Sequence, residues 1–169
     1  MDADTAIRAR RTHKQFGTAP VDDGTLRELL DLARLAPNHR LTEPWRFRVL
    51  GPQTRARLDV LVGEKEAAKL GRAPTLVVVT ALLSDDPEAA EEDLHATAAA
   101  VQTILLAATA RGLASYWRTP GAFREDEVRT LLALEPNERF VALVHLGPPA
   151  GDPPAKDRLP VDSIARWLP

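Results

Sequence analysis

The chain of 169 residues contains no cysteine. Disulfides, thiolate metal sites and a cysteine nucleophile are therefore excluded, and a reducing compartment suits the sequence. It also has little net charge: 22 Lys and Arg stand against 24 Asp and Glu, a formal balance of −2. That balance gives no global case for binding nucleic acid. No apolar run approaches the roughly 20 residues of a membrane-spanning helix, and residues 1–11 lack the apolar stretch of a signal peptide. The expected setting is the cytoplasm, with neither nucleic-acid nor membrane partners. The Walker A loop, the G-x-G-x-x-G turn, the G-x-S-x-G nucleophile elbow and H-E-x-x-H are all missing. Ser84, Ser115 and Ser163 have no base beside them in sequence.

What is present is ordinary globular material with an uneven distribution of proline. The length and the 44% hydrophobic content suffice for one domain over residues 1–169 with a sizeable core. Of the prolines, Pro148, Pro149, Pro153, Pro154 and Pro160 crowd residues 148–169. Such a tail is neither regular helix nor central strand, and is expected to run extended along a surface, its own or a partner's.

The periodicities predict a mixed fold. Asp4 is placed as the cap of a short helix to about Arg11. Asp22 or Asp23 opens a second helix, with Leu26, Leu29, Leu30 and Ala33 on one face, ending before Pro37. Residues 45–50 alternate, with Trp45, Phe47 and Val49 inward and Arg46 and Arg48 outward, as in a half-buried strand. Helix resumes over about 53–62 and continues past Gly63 to Leu70. The β-branched run 75–83 is the expected central strand. A long helix starts at Pro87 and stops at Gly112, and its stretch 96–110 is apolar nearly all round. A strand over 113–117, a helix over 125–134 and a strand over 140–146 complete an α/β or α+β sandwich.

Four groups of residues are candidates for chemistry. Arg10, Arg11, Thr12, His13 and Lys14 could hold an anion, since Arg offers a planar fork, Lys a point charge and Thr a hydroxyl donor; equally, they could be a solvated basic helix terminus. Pro37, Asn38 and His39 lie in a polar loop between helix and strand, and His39 lacks a second ligand at metal spacing. Trp117, Arg118 and Thr119 end a strand, where α/β sheets favour ligands. Lys156 and Arg158 share a face of an extended chain.

In order along the chain, these segments resemble the nitroreductase family of FMN-dependent oxidoreductases, in its short single-domain branch. Residues 10–16 (Arg-Arg-Thr-His-Lys-Gln-Phe) are similar to the family's Arg-x-Ser-x-Arg/Lys-x-Phe opening. Ala36-Pro37-Asn38-His39 and Glu43-Pro44-Trp45 are similar to its Ala-Pro-x-x…Gln-Pro-Trp loop. The helix 91–112 followed by Ala114-Ser115-Tyr116-Trp117-Arg118 resembles its Ala-rich helix and Leu-Gly-x-x-Trp segment. Residues 146–149, then Lys156-x-Arg158-x-Pro160 and Trp167, resemble its C-terminal signature. Thr12 stands for the usual Ser and Glu43 for the usual Gln, and the chain has little material for a lid.

The resemblance implies an α+β fold, an α/β/α sandwich around a mainly antiparallel sheet. It implies a homodimer with exchanged C-terminal tails and FMN at the interface. Arg10, Thr12 and Lys14, with Arg11, would contact FMN. Lys14 and Arg10 would lie near the flavin N1–C2=O edge, where a cation stabilises the reduced ring. Pro37, Asn38 and His39 would come from the other subunit, Trp117, Arg118 and Thr119 would line the ring, and Lys156 and Arg158 would join the phosphate site. The implied reaction passes hydride from NADH or NADPH through flavin N5 to a small acceptor such as a nitroaromatic or quinone, with no catalytic side chain and no metal. A flavin-binding module without turnover and a structural dimer are the alternatives.

Overall fold

The computed structural model describes residues 1–168. Its centre is a four-stranded antiparallel sheet in the order β1-β2-β4-β3, built from β1 (Trp45–Val49), β2 (Thr75–Leu82), β3 (Ala114–Arg118) and β4 (Glu138–Gly147). The interior strand β2 is buried at every position from Thr75 to Ala81. Both of its faces are covered, which is why its sequence is a continuous apolar run rather than an alternation. Val77 and Val79 point to one core and Leu76 and Val78 to the other, as the two-residue period of a strand requires.

The first core lies under α2 (Asp23–Ala33) and α5 (Pro87–Ala110). Leu26, Leu29 and Ala33 meet Ala100, Val101, Ile104 and Ala108 there. The small residues of α5 let it lie close to the sheet, and Gly112 ends it at φ +71°, the left-handed geometry that favours glycine. The second core gathers Leu58 of α3 (Pro52–Val62), Leu70 of α4 (Glu64–Leu70) and Val128 of α6 (Asp126–Leu131) around Phe123, Phe140 and Leu143. Helices thus cover both faces of the sheet. A register shift between Val79 and Thr80 leaves Val141 as the extra residue of β4. That bulge is what lets Phe140 and Leu143 share one face while Ala142 points to the other.

Several expectations need correction. The cap of α1 (Ala3–Ala9) is Asp2, whose carboxylate accepts from the Thr5 N–H at 2.9 Å, and Asp4 merely lies in the first turn. The helix stops at Ala9, two residues short of Arg11. In β1, Val49 is exposed and Arg48 is half-buried, because Arg48 has a buried acidic partner, Glu138, that no local pattern shows. For the same reason β4 starts at Glu138, not Phe140. The helix α6 ends at Leu131, and Ala133 then turns at φ +48°.

Among the described residues, the backbone bonds that tie the tail to the body lie at its root. Phe16 and Pro149 form a bridge, and Gly17 N–H donates to the Pro148 carbonyl at 2.8 Å. A Cβ at Gly147 would meet the Pro74 ring at 2.8 Å, so glycine is needed where β4 runs into this junction. Beyond it, Leu159, Ile164, Trp167 and Leu168 are largely exposed, Trp167 at 84%. Pro169 lies outside the described residues.

Candidate functional site

The basic N-terminal segment and the tail face each other across one cleft. Residues 7–15 form one wall and residues 151–158 the other, around a cavity of about 800 Å³. The first wall exists because α1 ends at Ala9 and the following residues run along the sheet edge, where His13 N–H donates to the Ser115 carbonyl of β3 at 3.1 Å. The tail forms the second wall because its prolines hold it extended.

Six of the twelve expected site residues line this cleft: Arg10, Arg11, Thr12, Lys14, Lys156 and Arg158. Among the described residues none of the five cations has an ion-pair partner. One carboxylate, Asp152, also lines the cavity. Burial pushes the His13 imidazole below its ordinary value; Asp152 opposes that push, and Arg10 and Arg11 add to it. This donor set suits a phosphorylated ligand: guanidinium forks, ammonium point charges and the Thr12 hydroxyl converge on a volume in the range of small-molecule sites, roughly 300–1,000 Å³. On that chemistry FMN fits.

The other six expected residues lie elsewhere in the chain. Pro37, Asn38 and His39 belong to the loop between α2 and β1, against the N-terminal turns of α5, where His39 Nδ1 is 3.6 Å from Glu92. In this loop Arg40, Leu41 and Glu43 have φ of +53°, +53° and +45°, a conformation costing non-glycine residues on the order of 1–2 kcal/mol each. Thr42 and Asn38 hold it: Thr42 donates its hydroxyl to Asp93 at 2.7 Å, and Asn38 Oδ1 accepts from the Glu43 N–H at 3.0 Å. Trp117 and Arg118 point to opposite faces of β3. Trp117 packs on the α5 side, its indole N–H 3.4 Å from the Val141 carbonyl. Arg118 is paired with Glu66 of α4 at 2.6 Å. Thr119 is exposed just beyond β3.

His13, part of the basic segment read as a candidate anion site, lines the cleft too, whereas sequence reasoning passed over Arg8, Gln102 and Asp152. Gln102 did leave a signal. It is the one amide in the otherwise apolar and hydroxyl-bearing stretch 96–110 of α5, and it is exposed to the cleft.

A family model described as the Nitroreductase family matches residues 7–148. The YfhC protein of Bacillus subtilis, whose name assigns it provisionally to the NAD(P)H nitroreductases, is 30% identical over 92% of this chain and 88% of its own. A protein of Thermus thermophilus named NADH dehydrogenase is 29% identical over 99% of this chain and 96% of its own. The crystal structure of a nitroreductase-like family protein from Bacillus cereus superposes with a TM-score of 0.88 at 27% identity, covering 99% of this chain and 96% of that one. The family match takes in the basic segment, the strained loop and the whole sheet, and on it the chain belongs to the nitroreductase family.

Proposed function

We propose that the chain is an FMN-dependent, NAD(P)H-using oxidoreductase that works as a homodimer on a small acceptor such as a nitroaromatic or quinone. Membership in the nitroreductase family makes the chain an oxidoreductase. The observation that carries the finer reading is the cleft, where five of the expected cations, none with an ion-pair partner among the described residues, line the same cavity as the Thr12 hydroxyl.

Lys156 and Arg158 hold the phosphate in this reading. Arg10 and Lys14 sit at the N1–C2=O edge, where their charge favours added negative charge on the ring, and Thr12 hydrogen-bonds the cofactor. Bound FMN would supply the redox chemistry between the nicotinamide and the acceptor. No side chain acts as acid, base or nucleophile, so the protein contributes binding, orientation and charge. A second copy supplies what one chain does not bring to the cleft, the loop with Pro37, Asn38 and His39. The exposed Leu159, Ile164, Trp167 and Leu168 of the tail support that assembly, because they bury little against their own chain.

The test is a visible spectrum of the purified protein with added FMN, followed by anaerobic NADH and NADPH. A flavin spectrum that bleaches with either nicotinamide is expected. Bound flavin that never bleaches would move the reading to a flavin-binding module, and no flavin binding would overturn it.

A further inference from the structure

We infer that the cleft carries a second phosphate subsite, formed by Arg8 and Arg11, and that it recognises the 2′-phosphate of NADPH. The inference rests on the FMN reading of the same cleft and names its reductant.

Arg8, Arg10, Arg11, Lys14, Lys156 and Arg158 are six cations on one cavity, and among the described residues Asp152 is its only lining carboxylate. A phosphate monoester brings about −1.5 to −2 charges at neutral pH. One FMN therefore leaves most of the positive charge without a counter-charge, in a chain whose overall balance is −2. The excess is local, and it calls for a second anion.

Position then separates the six. Lys156 and Arg158 stand on the tail wall, and Arg10, Thr12 and Lys14 follow one another along the strand-like segment beside β3. Arg8 belongs to the last turn of α1. Arg11 folds back onto that turn, its Nη1 donating to the Arg8 carbonyl at 2.5 Å and to the Arg10 carbonyl at 3.1 Å. Those two bonds use a single nitrogen and leave the other donors of the guanidinium fork available. They also fix the Arg11 head group over the last turn of α1, the turn that carries Arg8. Neither arginine has an ion-pair partner among the described residues. The helix dipole accounts for one cation at the end of α1, not for two arginines that line the same cavity. Two arginines on one cavity wall, one with its fork preset, suit an anion with several oxygens, of which a phosphate dianion carries the most charge.

NADH and NADPH differ by a single phosphate on the adenosine ribose. A subsite for it at the rim of the flavin cleft discriminates between them without touching the nicotinamide.

The test measures equilibrium binding to the FMN-loaded protein by calorimetry, with adenosine 2′,5′-bisphosphate, adenosine 3′,5′-bisphosphate and 5′-AMP as probes. The 2′,5′-bisphosphate is expected to bind at least about tenfold more tightly than 5′-AMP, the scale of one charge-assisted contact. It should also bind more tightly than the 3′,5′ isomer, which carries the same charge at another place. In Arg8→Gln with FMN loaded, the advantage of the 2′,5′-bisphosphate should fall severalfold. Equal affinity for the two bisphosphates would mean a diffuse basic surface and overturn the subsite, as would a 2′,5′-bisphosphate no tighter than 5′-AMP or an advantage unchanged in Arg8→Gln. A protein that takes up no FMN would instead overturn the underlying cofactor reading, and the two failures are told apart by the flavin spectrum alone.

Discussion

Thr42 and Asp93 join two segments that carry different parts of the proposed site. The Thr42 hydroxyl, in the left-handed loop before β1, donates to the buried Asp93 carboxylate of α5 at 2.7 Å, and the Ser84 N–H donates to its other oxygen at 3.0 Å. One carboxylate thus holds the loop of Pro37, Asn38 and His39 and the connection from β2 to α5 in register. Asp93→Ala removes both acceptors and is expected to cost about 1–3 kcal/mol in urea unfolding. FMN affinity should fall along with stability, because the loop loses its anchor. An unfolding midpoint equal to that of the wild type would show that the loop holds itself.

His145 makes stability depend on pH. Its imidazole is 1% exposed between Phe16 and Tyr116, and neither ring nitrogen has a partner among the described residues. Burial pushes its pKa down to about 3, with Arg118, Arg55 and Arg72 adding to the push. The unfolded chain binds this proton near the ordinary His value of 6.5 and the folded chain does not. Stability from this group is therefore complete above pH 6.5 and is lost as pH falls toward 3, at up to about 1.4 kcal/mol per pH unit. His13 acts in the same direction more weakly, being partly exposed. Glu66 and Glu138, held below the ordinary carboxylate range, contribute losses only below about pH 4.5. The interval from 6.5 to 4.5 isolates the histidines, and His145→Leu should flatten a melting-temperature profile there.

Arg48 and Glu138 form a two-pronged ion pair across the sheet, both contacts at 2.7 Å, with the Thr80 hydroxyl donating to the same carboxylate. Burial alone would raise the Glu138 carboxyl, but the hydrogen bonds from Arg48 and Thr80 outweigh it. Arg48→Ala strands a buried carboxylate and is expected to cost about 3 kcal/mol. The double substitution Arg48→Leu with Glu138→Leu should cost much less, since no uncompensated charge remains. A single variant as stable as the double would refute that account; chemical denaturation of the two decides it.

These cases mark what the sequence made legible. The order and type of the elements followed from local patterns: the unbroken apolar run of β2, the capping aspartate of α2, the proline start and glycine stop of α5. Half of the residues named as candidates line the candidate cleft. The basic segment and the tail cations face one cavity, because α1 ends at Ala9 and the chain then follows the edge of β3. The roles of Arg48 and Arg118 were not legible, since each answers a carboxylate distant in sequence, Glu138 or Glu66. Arg8 and Asp152 were missed because the one is an ordinary surface residue of a short helix and the other sits between prolines.

Lys14 tests the electrostatics of the flavin site. It lines the cleft, is exposed, and has no ion-pair partner among the described residues. Lys14→Glu replaces a cation by an anion, and should weaken FMN binding or lower the potential of the bound flavin. Fluorescence titration reads the first and a reference-dye equilibration the second. Unchanged values for both would remove Lys14 from the site.

The tail tests the assembly. Leu159, Ile164, Trp167 and Leu168 are between 69% and 86% exposed, so the single chain leaves four large apolar side chains of its tail uncovered. A chain ending at Arg158 keeps Lys156 and Arg158 in the cleft and removes only these side chains and their connecting residues. Its own core is untouched, since among the described residues beyond Arg158 none is buried. The expected result is a species of monomer mass in light scattering at micromolar concentration, where the full chain is expected to run as the proposed dimer. Its thermal stability should fall with the loss of the partner, and its FMN should dissociate on dilution. A truncated chain that remains dimeric and retains flavin would mean that α5 and the loop 36–43 suffice to hold two copies together, leaving the apolar tail without a role in assembly.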